Sequence, residues 1–237
     1  TMRSEETMYL LIQDFALQDP RVRLVLLSGS RANPAAPRDD LQDFDIAIFV
    51  NDLESFRGSE AWLDVFGSRR MMQKPEEMRE NPPDNPDLAY LMLFEDGNRI
   101  DLSIYPLERW PELKNDSLSV LLLDKDGALG PLPPPGEASY LPQPPDAKAF
   151  ADCCNEFWWV SPYVAKGLWR RELPYAKSML DEYVRAQLMK MLRWQIGIQT
   201  GFQVNPGKDG KYFEHYLPPG QWALLLRTYA DADYSRN

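Results

Sequence analysis

The sequence predicts an α+β protein: an N-terminal mixed β-sheet flanked by helices, followed by an all-helical region. Three observations carry this. Up to residue 127, apolar runs of strand length alternate with segments of helical spacing. The stretch GPLPPPGEASYLPQPP (130–145) then holds seven of the 21 prolines, so it is neither helix nor central strand. Beyond it, apolar residues recur at helical spacing throughout. The chain is therefore divided into residues 1–130, a proline-rich linker at 131–145 and a helical region at 146–237.

Each element has its own reason. Residues 4–18 place Met8, Leu11, Ile12 and Phe15 on one helical face, with Glu5 and Glu6 in the first turn, where the helix dipole favours acids. VRLVLL (22–27) and DFDIAIFV (43–50) read as strands, SEAWLDVFG (59–67) as a short helix and RRMMQ (69–73) as a strand. YLMLF (90–94) and RIDLSIY (99–105) flank Asp96-Gly97, a strong turn signal, and read as a hairpin. SLSVLLLDKDG (117–127) reads as a helix. After the linker, helices are expected over 147–171, with a kink or break at Pro162, over 174–200, with Pro174 in the first turn, and over 219–230.

Composition narrows the function. The net charge of −10 disfavours a nucleic-acid partner, since phosphate backbones demand a basic surface, and suits a cationic small molecule. No apolar run approaches ~20 residues, so no membrane span is expected. The cysteines, Cys153 and Cys154, are adjacent, which is poor geometry for a mutual disulfide. Reduced thiols fit a cytoplasmic location. With one histidine, His215, far from both, a zinc site is not expected. A monomer is the default assembly.

The chemistry concentrates in LSGSRANPAAPRDDLQDFDIAIFV (27–50). Asp43 and Asp45, at i and i+2 on a strand, point to one face while Phe44, Ile46 and Ile48 point to the other. Two carboxylates that close repel, and burying either is costly unless something compensates. A magnesium ion carrying a phosphate chain would do so. Asp101 is the only acid within the apolar alternation of RIDLSIY and is the candidate third ligand. Ser28, Gly29, Ser30 and Arg31 follow a strand, where glycine permits close backbone approach and successive N–H groups can cup an anion. No Walker lysine follows, so this is not a P-loop.

Gly-Ser after a strand, Asp-x-Asp opening the next strand and a third Asp on a later strand resemble the nucleotidyltransferase superfamily to which DNA polymerase beta belongs. Within it the chain resembles the aminoglycoside 6-adenylyltransferases that inactivate streptomycin, on GSRANP, QDFDIAIFV, FGSRRMMQKPEEM, YLMLFEDGNRIDL, DSLSVLLLDKDG, NEFWWVSPYVAKGLWRRELPYAKSMLD and GKDGKYFEHYL. The resemblance implies an N-terminal nucleotidyltransferase domain, a helical substrate-binding domain, and more helix after Asn237 than is present, so truncation is expected. Pro162 and the length of the proline-rich linker depart from the family pattern.

What the resemblance implies is transfer of AMP from ATP to an aminoglycoside hydroxyl, streptomycin foremost, with release of pyrophosphate. Asp43, Asp45 and Asp101 would hold magnesium, and Ser28, Gly29, Ser30 and Arg31 the β- and γ-phosphates. A carboxylate would assist as general base: Asp101 where only one metal is bound, or Asp181 or Glu182 instead. Glu156 beside Phe157, Trp158 and Trp159 suits a guanidinium or ammonium, so Glu156, Trp159, Asp181 and Glu182 are the candidate acceptor contacts. Lys177, Lys208 and Lys211 are candidate phosphate contacts, with Lys166 and Arg170 as further basic residues on the same region. The alternatives are a nucleotidyltransferase fold acting on another hydroxylated substrate and a non-catalytic nucleotide-binding module. Nucleotide-sugar glycosyltransferases also use Asp-x-Asp, but there it normally ends a strand and lacks the preceding Gly-Ser.

Overall fold

The computed structural model of the chain describes residues 2–78, 80, 87–113, 116–127, 129–234 and 236. It divides into two units, Thr1–Ser139 and Tyr140–Asn237. The boundary falls inside the proline-rich stretch.

The first unit is built on a six-stranded mixed sheet: β1 (Val22–Ser28), β2 (Phe44–Val50), β3 (Arg69–Gln73), β4 (Leu88–Phe94), β5 (Arg99–Pro106) and β6 (Val120–Asp124), in the order β3-β4-β5-β2-β1-β6. Among the described residues, the β2–β5 pair is parallel and the other four pairs are antiparallel. The period-2 pattern gives the sheet two different faces. Phe44, Ile46 and Ile48 of β2, Ile100, Leu102 and Ile104 of β5 and Leu88, Tyr90 and Met92 of β4 are buried on one face. Helix α1 (Glu5–Gln18) covers that face with Met8, Ile12, Phe15 and Ala16. Phe56, Leu63 and Phe66, from two 3-10 turns at Glu54–Phe56 and Ala61–Phe66, complete the cover. The second of these turns stands where a short α-helix was expected.

Within this unit, among the described residues, an apolar cluster covers one end of the opposite face. There Leu24, Leu26 and Phe49 pack with Tyr105, Leu107, Leu121, Leu129 and Leu132, and with Trp110 of a short helix, α3 (Trp110–Leu113). The remainder of that face carries the polar residues of interest. Residues 129–137 thus belong to the first unit: Gly136 N–H donates to the Ser117 carbonyl (2.9 Å), and the Asn33 amide donates to Glu137 (2.7 Å).

The helix expected at 117–127 is instead β6, antiparallel to β1, with Leu26 opposite Leu121 and Leu27 opposite Val120. Leucine favours helix locally, but pairing with the open edge of β1 satisfies the backbone and lets both faces of the strand pack.

The second unit comprises α4 (Ala147–Trp169), α5 (Leu173–Ser178), a π-helical segment (Met179–Val184), α6 (Arg185–Thr200), α7 (Phe213–Tyr216) and α8 (Pro219–Arg227). The break expected at Pro162 is absent: α4 runs through it. Pro162 has no N–H to give the Trp158 carbonyl, but both residues lie on the exposed side of α4, where that carbonyl is open to solvent. The helix read as continuous over 174–200 contains the π-helical insertion, which ends where buried Arg185 begins α6. Among the described residues, no helix is long and apolar enough to cross a membrane.

Candidate active site

Strand register assembles the site. Ser28 of β1 is opposite Asp45 of β2, Asp45 is opposite Asp101 of β5, Asp101 is opposite Leu91 of β4, and Leu91 is opposite Gln73 of β3. Cross-strand partners share a face, so these five residues form one row across the sheet. The carboxylates of Asp45 and Asp101 are direct neighbours in the row. Asp43 lies just before β2, on the same face by strand parity.

The Asp96-Gly97 turn fixes Asp101 in this register. Gly97 has φ 93°, and Phe94 N–H donates to the Asn98 carbonyl (2.9 Å). Arg3 clamps the turn: its Nε lies 2.6 Å from Asp96, which also accepts from the backbone N–H of Arg3 (3.1 Å) and of Asn98 (3.1 Å). These donors hold the Asp96 carboxyl well below the usual carboxylate range, the Arg3 side chain contributing most.

Gly29 has φ 68°, and a Cβ built on it would stand 2.0 Å from Asp45 Oδ2. Glycine is therefore required on two counts: the left-handed backbone and the space taken by the carboxylate. Gly29–Ala32 forms a single helical turn, α2, rather than an open anion-cupping loop. Ser28 and Ser30 are half-buried at its start.

Arg31 turns inward. It is buried, stacks 3.9 Å over the Phe44 ring, donates to the Gln42 carbonyl (2.8 Å) and pairs with Glu5 (3.3 Å). Gln42 in turn donates to the Ser30 carbonyl (3.3 Å), so Arg31 and Gln42 tie the loop before Asp43 to the Gly-Ser turn. The guanidinium read from the sequence as a phosphate contact is engaged here in positioning the loop.

Arg99 was not singled out by the sequence reading, although its place two residues before Asp101 puts it on the same strand face. It grips Asp101 with two bonds of 2.7 Å each and lies 3.6 Å from Asp43. Even so, burial, followed by the charges of Asp101 and Asp43, pushes the Asp45 carboxyl up to about 6. Burial likewise raises Asp43. The site is short of positive charge after Arg99 and Arg31 have been counted.

That deficit and the all-oxygen donor set fit a hard divalent cation in kind. In the arrangement described, Arg99 supplies the counter-charge. Among the described residues, no three Asp, Glu, His or Cys side chains are gathered closely enough to hold a metal ion.

The candidates of the second unit are placed differently. Asp181 and Glu182 are exposed on the π-helical segment. Asp181 accepts from Arg185 Nε (2.9 Å) and Nη2 (2.8 Å), and Glu182 from the Ser178 hydroxyl (2.8 Å). Lys177 donates to the Ala230 carbonyl (3.0 Å), while Lys208 and Lys211 are exposed, with Lys211 5.5 Å from the Tyr212 ring. Glu156 is half-buried on α4. Trp158 and Trp159 are 70% and 67% exposed, so they form surface rather than core.

Comparison with known proteins follows the same lines. The sequence profile of the family described as streptomycin adenylyltransferase matches residues 2–237. An aminoglycoside 6-adenylyltransferase of Bacillus subtilis (strain 168) is 44% identical over 236 residues, 98% of this chain and 83% of the relative. One from Campylobacter jejuni is 44% identical over 229 residues, 96% of this chain and 80% of the relative. One from Staphylococcus aureus is 37% identical over 238 aligned positions, 99% of this chain and 84% of the relative. With its carboxylate row set beside a Gly-Ser turn and a profile match across nearly its whole length, the chain is an enzyme that belongs to the streptomycin adenylyltransferase family.

Proposed function

We propose that this enzyme transfers AMP from ATP to a hydroxyl of an aminoglycoside, streptomycin foremost, and so confers resistance to it. The observation that carries the reading is the row Ser28–Asp45–Asp101, with Asp45 packed against Gly29. The charge deficit there calls for a cation, and the adjoining turn offers backbone N–H groups left outside the helical ladder.

In the reaction, the acceptor hydroxyl oxygen bonds to the α-phosphorus of ATP as the bond from that phosphorus to the bridging oxygen of pyrophosphate breaks. Ser28, Gly29 and Ser30 hold the leaving phosphates, and Asp101 receives the hydroxyl proton. Asp43, Asp45 and Asp101 are the residues that would hold magnesium, which when bound neutralises phosphate charge and acidifies the hydroxyl. Catalysis of this kind is mostly positioning and charge neutralisation. In the helical unit, the exposed Trp159 beside Glu156 suits a guanidinium through cation–π and ionic contact.

The test is mass spectrometry of streptomycin after incubation with magnesium and ATP. An adduct of one AMP is expected from the wild-type enzyme. Asp45→Asn should lower turnover on the order of 10³-fold or more, with no loss of melting temperature in chelator, because it removes a charge that burial disfavours. Turnover within about tenfold of wild type in that variant would refute the assignment.

A further inference from the structure

The row that holds the carboxylates continues past them. Beyond Asp101 come Leu91 and Gln73, and the adjacent row on the same face runs Arg99–Leu93–Met71. Strands lie about 4.8 Å apart, so Leu91 is about 5 Å and Gln73 about 10 Å from Asp101 across the sheet. Over these residues lies a groove of about 770 Å³, lined by Met71, Gln73, Lys74, Glu77, Leu91 and Leu93 among others.

An in-line displacement puts the entering and leaving oxygens on opposite sides of the phosphorus. With pyrophosphate at Ser28–Gly29, the entering oxygen comes from the Leu91 side of the row. We infer that the groove over β4 and β3 is the acceptor subsite on the sheet, with Leu91 and Leu93 as its floor and Glu77 as the residue that selects a cationic acceptor. This rests on the reading of the Gly-Ser turn as the phosphate end.

The chemistry of the groove supports that occupant. Its apolar residues, Leu91, Leu93 and Met71, suit the C–H face of a sugar ring, and Gln73, Lys74, Glu77 and Arg99 supply its polar lining. Lys74 is shared between Glu60 (2.7 Å) and Glu77 (2.8 Å), so two carboxylates face one ammonium and one negative charge is in excess. Glu77 is 58% exposed and retains lone pairs for a second cation. Arg99, at the inner end, is offset by Asp101 and Asp43. The ligand class is therefore a cationic oligosaccharide whose charged group lies about two strand spacings from its reacting hydroxyl.

Two variants test this, read by calorimetry with magnesium-ATP, calorimetry with streptomycin and steady-state pyrophosphate release. Glu77→Gln should raise the streptomycin KM and Kd about tenfold or more, with kcat and ATP affinity within about twofold. Leu91→Trp, which fills the groove from its floor, should abolish streptomycin binding while ATP affinity and melting temperature hold. Unchanged streptomycin Kd in both variants overturns the inference. So does a loss of ATP affinity in place of streptomycin affinity, which would make the groove the nucleotide side. A wild-type enzyme that binds both ligands yet forms no AMP adduct refutes the proposed function alone, because the Kd comparison still decides the groove.

Discussion

The chain carries two acidic groups that a sequence reading treats alike, and the structure treats them in opposite ways. On the sheet, strand register sets Asp45 beside Asp101, with Asp43 on the same face, and Asp45 is pushed up to about 6 by burial and by its neighbours' charge. On the helices, Asp181 and Glu182 stand exposed, and each is matched locally: Asp181 by Arg185 four residues on, Glu182 by Ser178 four residues back. A helix offers every acid a partner one turn away. A parallel strand pair instead forces side chains at matched positions together, whatever their charge. Arg99 answers Asp101, so the uncompensated charge on the sheet falls on Asp45, and this separates a candidate catalytic site from a self-contained ion pair.

Short of removing a carboxylate itself, the largest expected effect comes from breaking the sheet side of that contrast at its tightest contact. Gly29→Ala places a methyl group 2.0 Å from Asp45 Oδ2 on a backbone of φ 68°. The carboxylate must move out of the row. Adenylyl transfer is expected to fall about 10²-fold or more, with a stability loss of about 2 kcal/mol, measured by pyrophosphate release and denaturant titration. Activity near wild type would mean that the position of Asp45 against the turn does not matter.

A smaller effect tests what sets the register of Asp101. Asp96→Ala removes the anchor for Arg3 and for the Asn98 N–H at the β4–β5 turn. The expected cost is about 2 kcal/mol at neutral pH. Because the native Asp96 carboxyl lies below its unfolded value, its contribution is full above about pH 4–5 and is lost as pH falls further. The stability difference between wild type and variant should therefore be flat from pH 8 to 5 and shrink below about pH 4. A difference that persists unchanged at about pH 2 would show that packing, not the charged pair, holds the turn.

The architecture was legible where pattern is local. Alternation in DFDIAIFV and RIDLSIY marked both central strands, and Asp-Gly marked the hairpin between β4 and β5. It was not legible where a distant partner decides. LLL in β6 has neither alternation nor helical spacing of its own, and only pairing with β1 makes it a strand. Pro162 reads as a helix breaker because the sequence does not say that its side of α4 is exposed. The π-helical insertion adds one residue to a pattern that still reads as helix. At the site, Asp45 and Asp101 are named by their strands, but their direct opposition is a matter of register, as is the presence of Arg99 between Asp101 and Asp43. Arg31 shows the converse. Its position after Gly-Ser suggests a ligand contact, while its stacking on Phe44 and bond to Gln42 give it structural work.

The smallest expected effect lies on the helical side and decides between two carboxylates for the proton. Asp181 Oδ1 takes both Nε and Nη2 of Arg185, whose side chain is 8% exposed and also reaches the Thr228 hydroxyl (2.5 Å) and carbonyl (2.9 Å). Tyr229 stacks on the same guanidinium at 3.9 Å. A carboxylate committed to a buried arginine is a poor proton acceptor, since taking the proton would leave that charge unpaired. Asp181→Asn keeps an oxygen for Arg185 and removes only the charge, so stability should fall by about 1 kcal/mol and kcat by less than tenfold. A hundredfold fall in kcat at unchanged melting temperature would transfer the base from Asp101 to Asp181. It would also break the contrast, because an exposed, locally paired acid would then be doing the chemistry assigned to the crowded one.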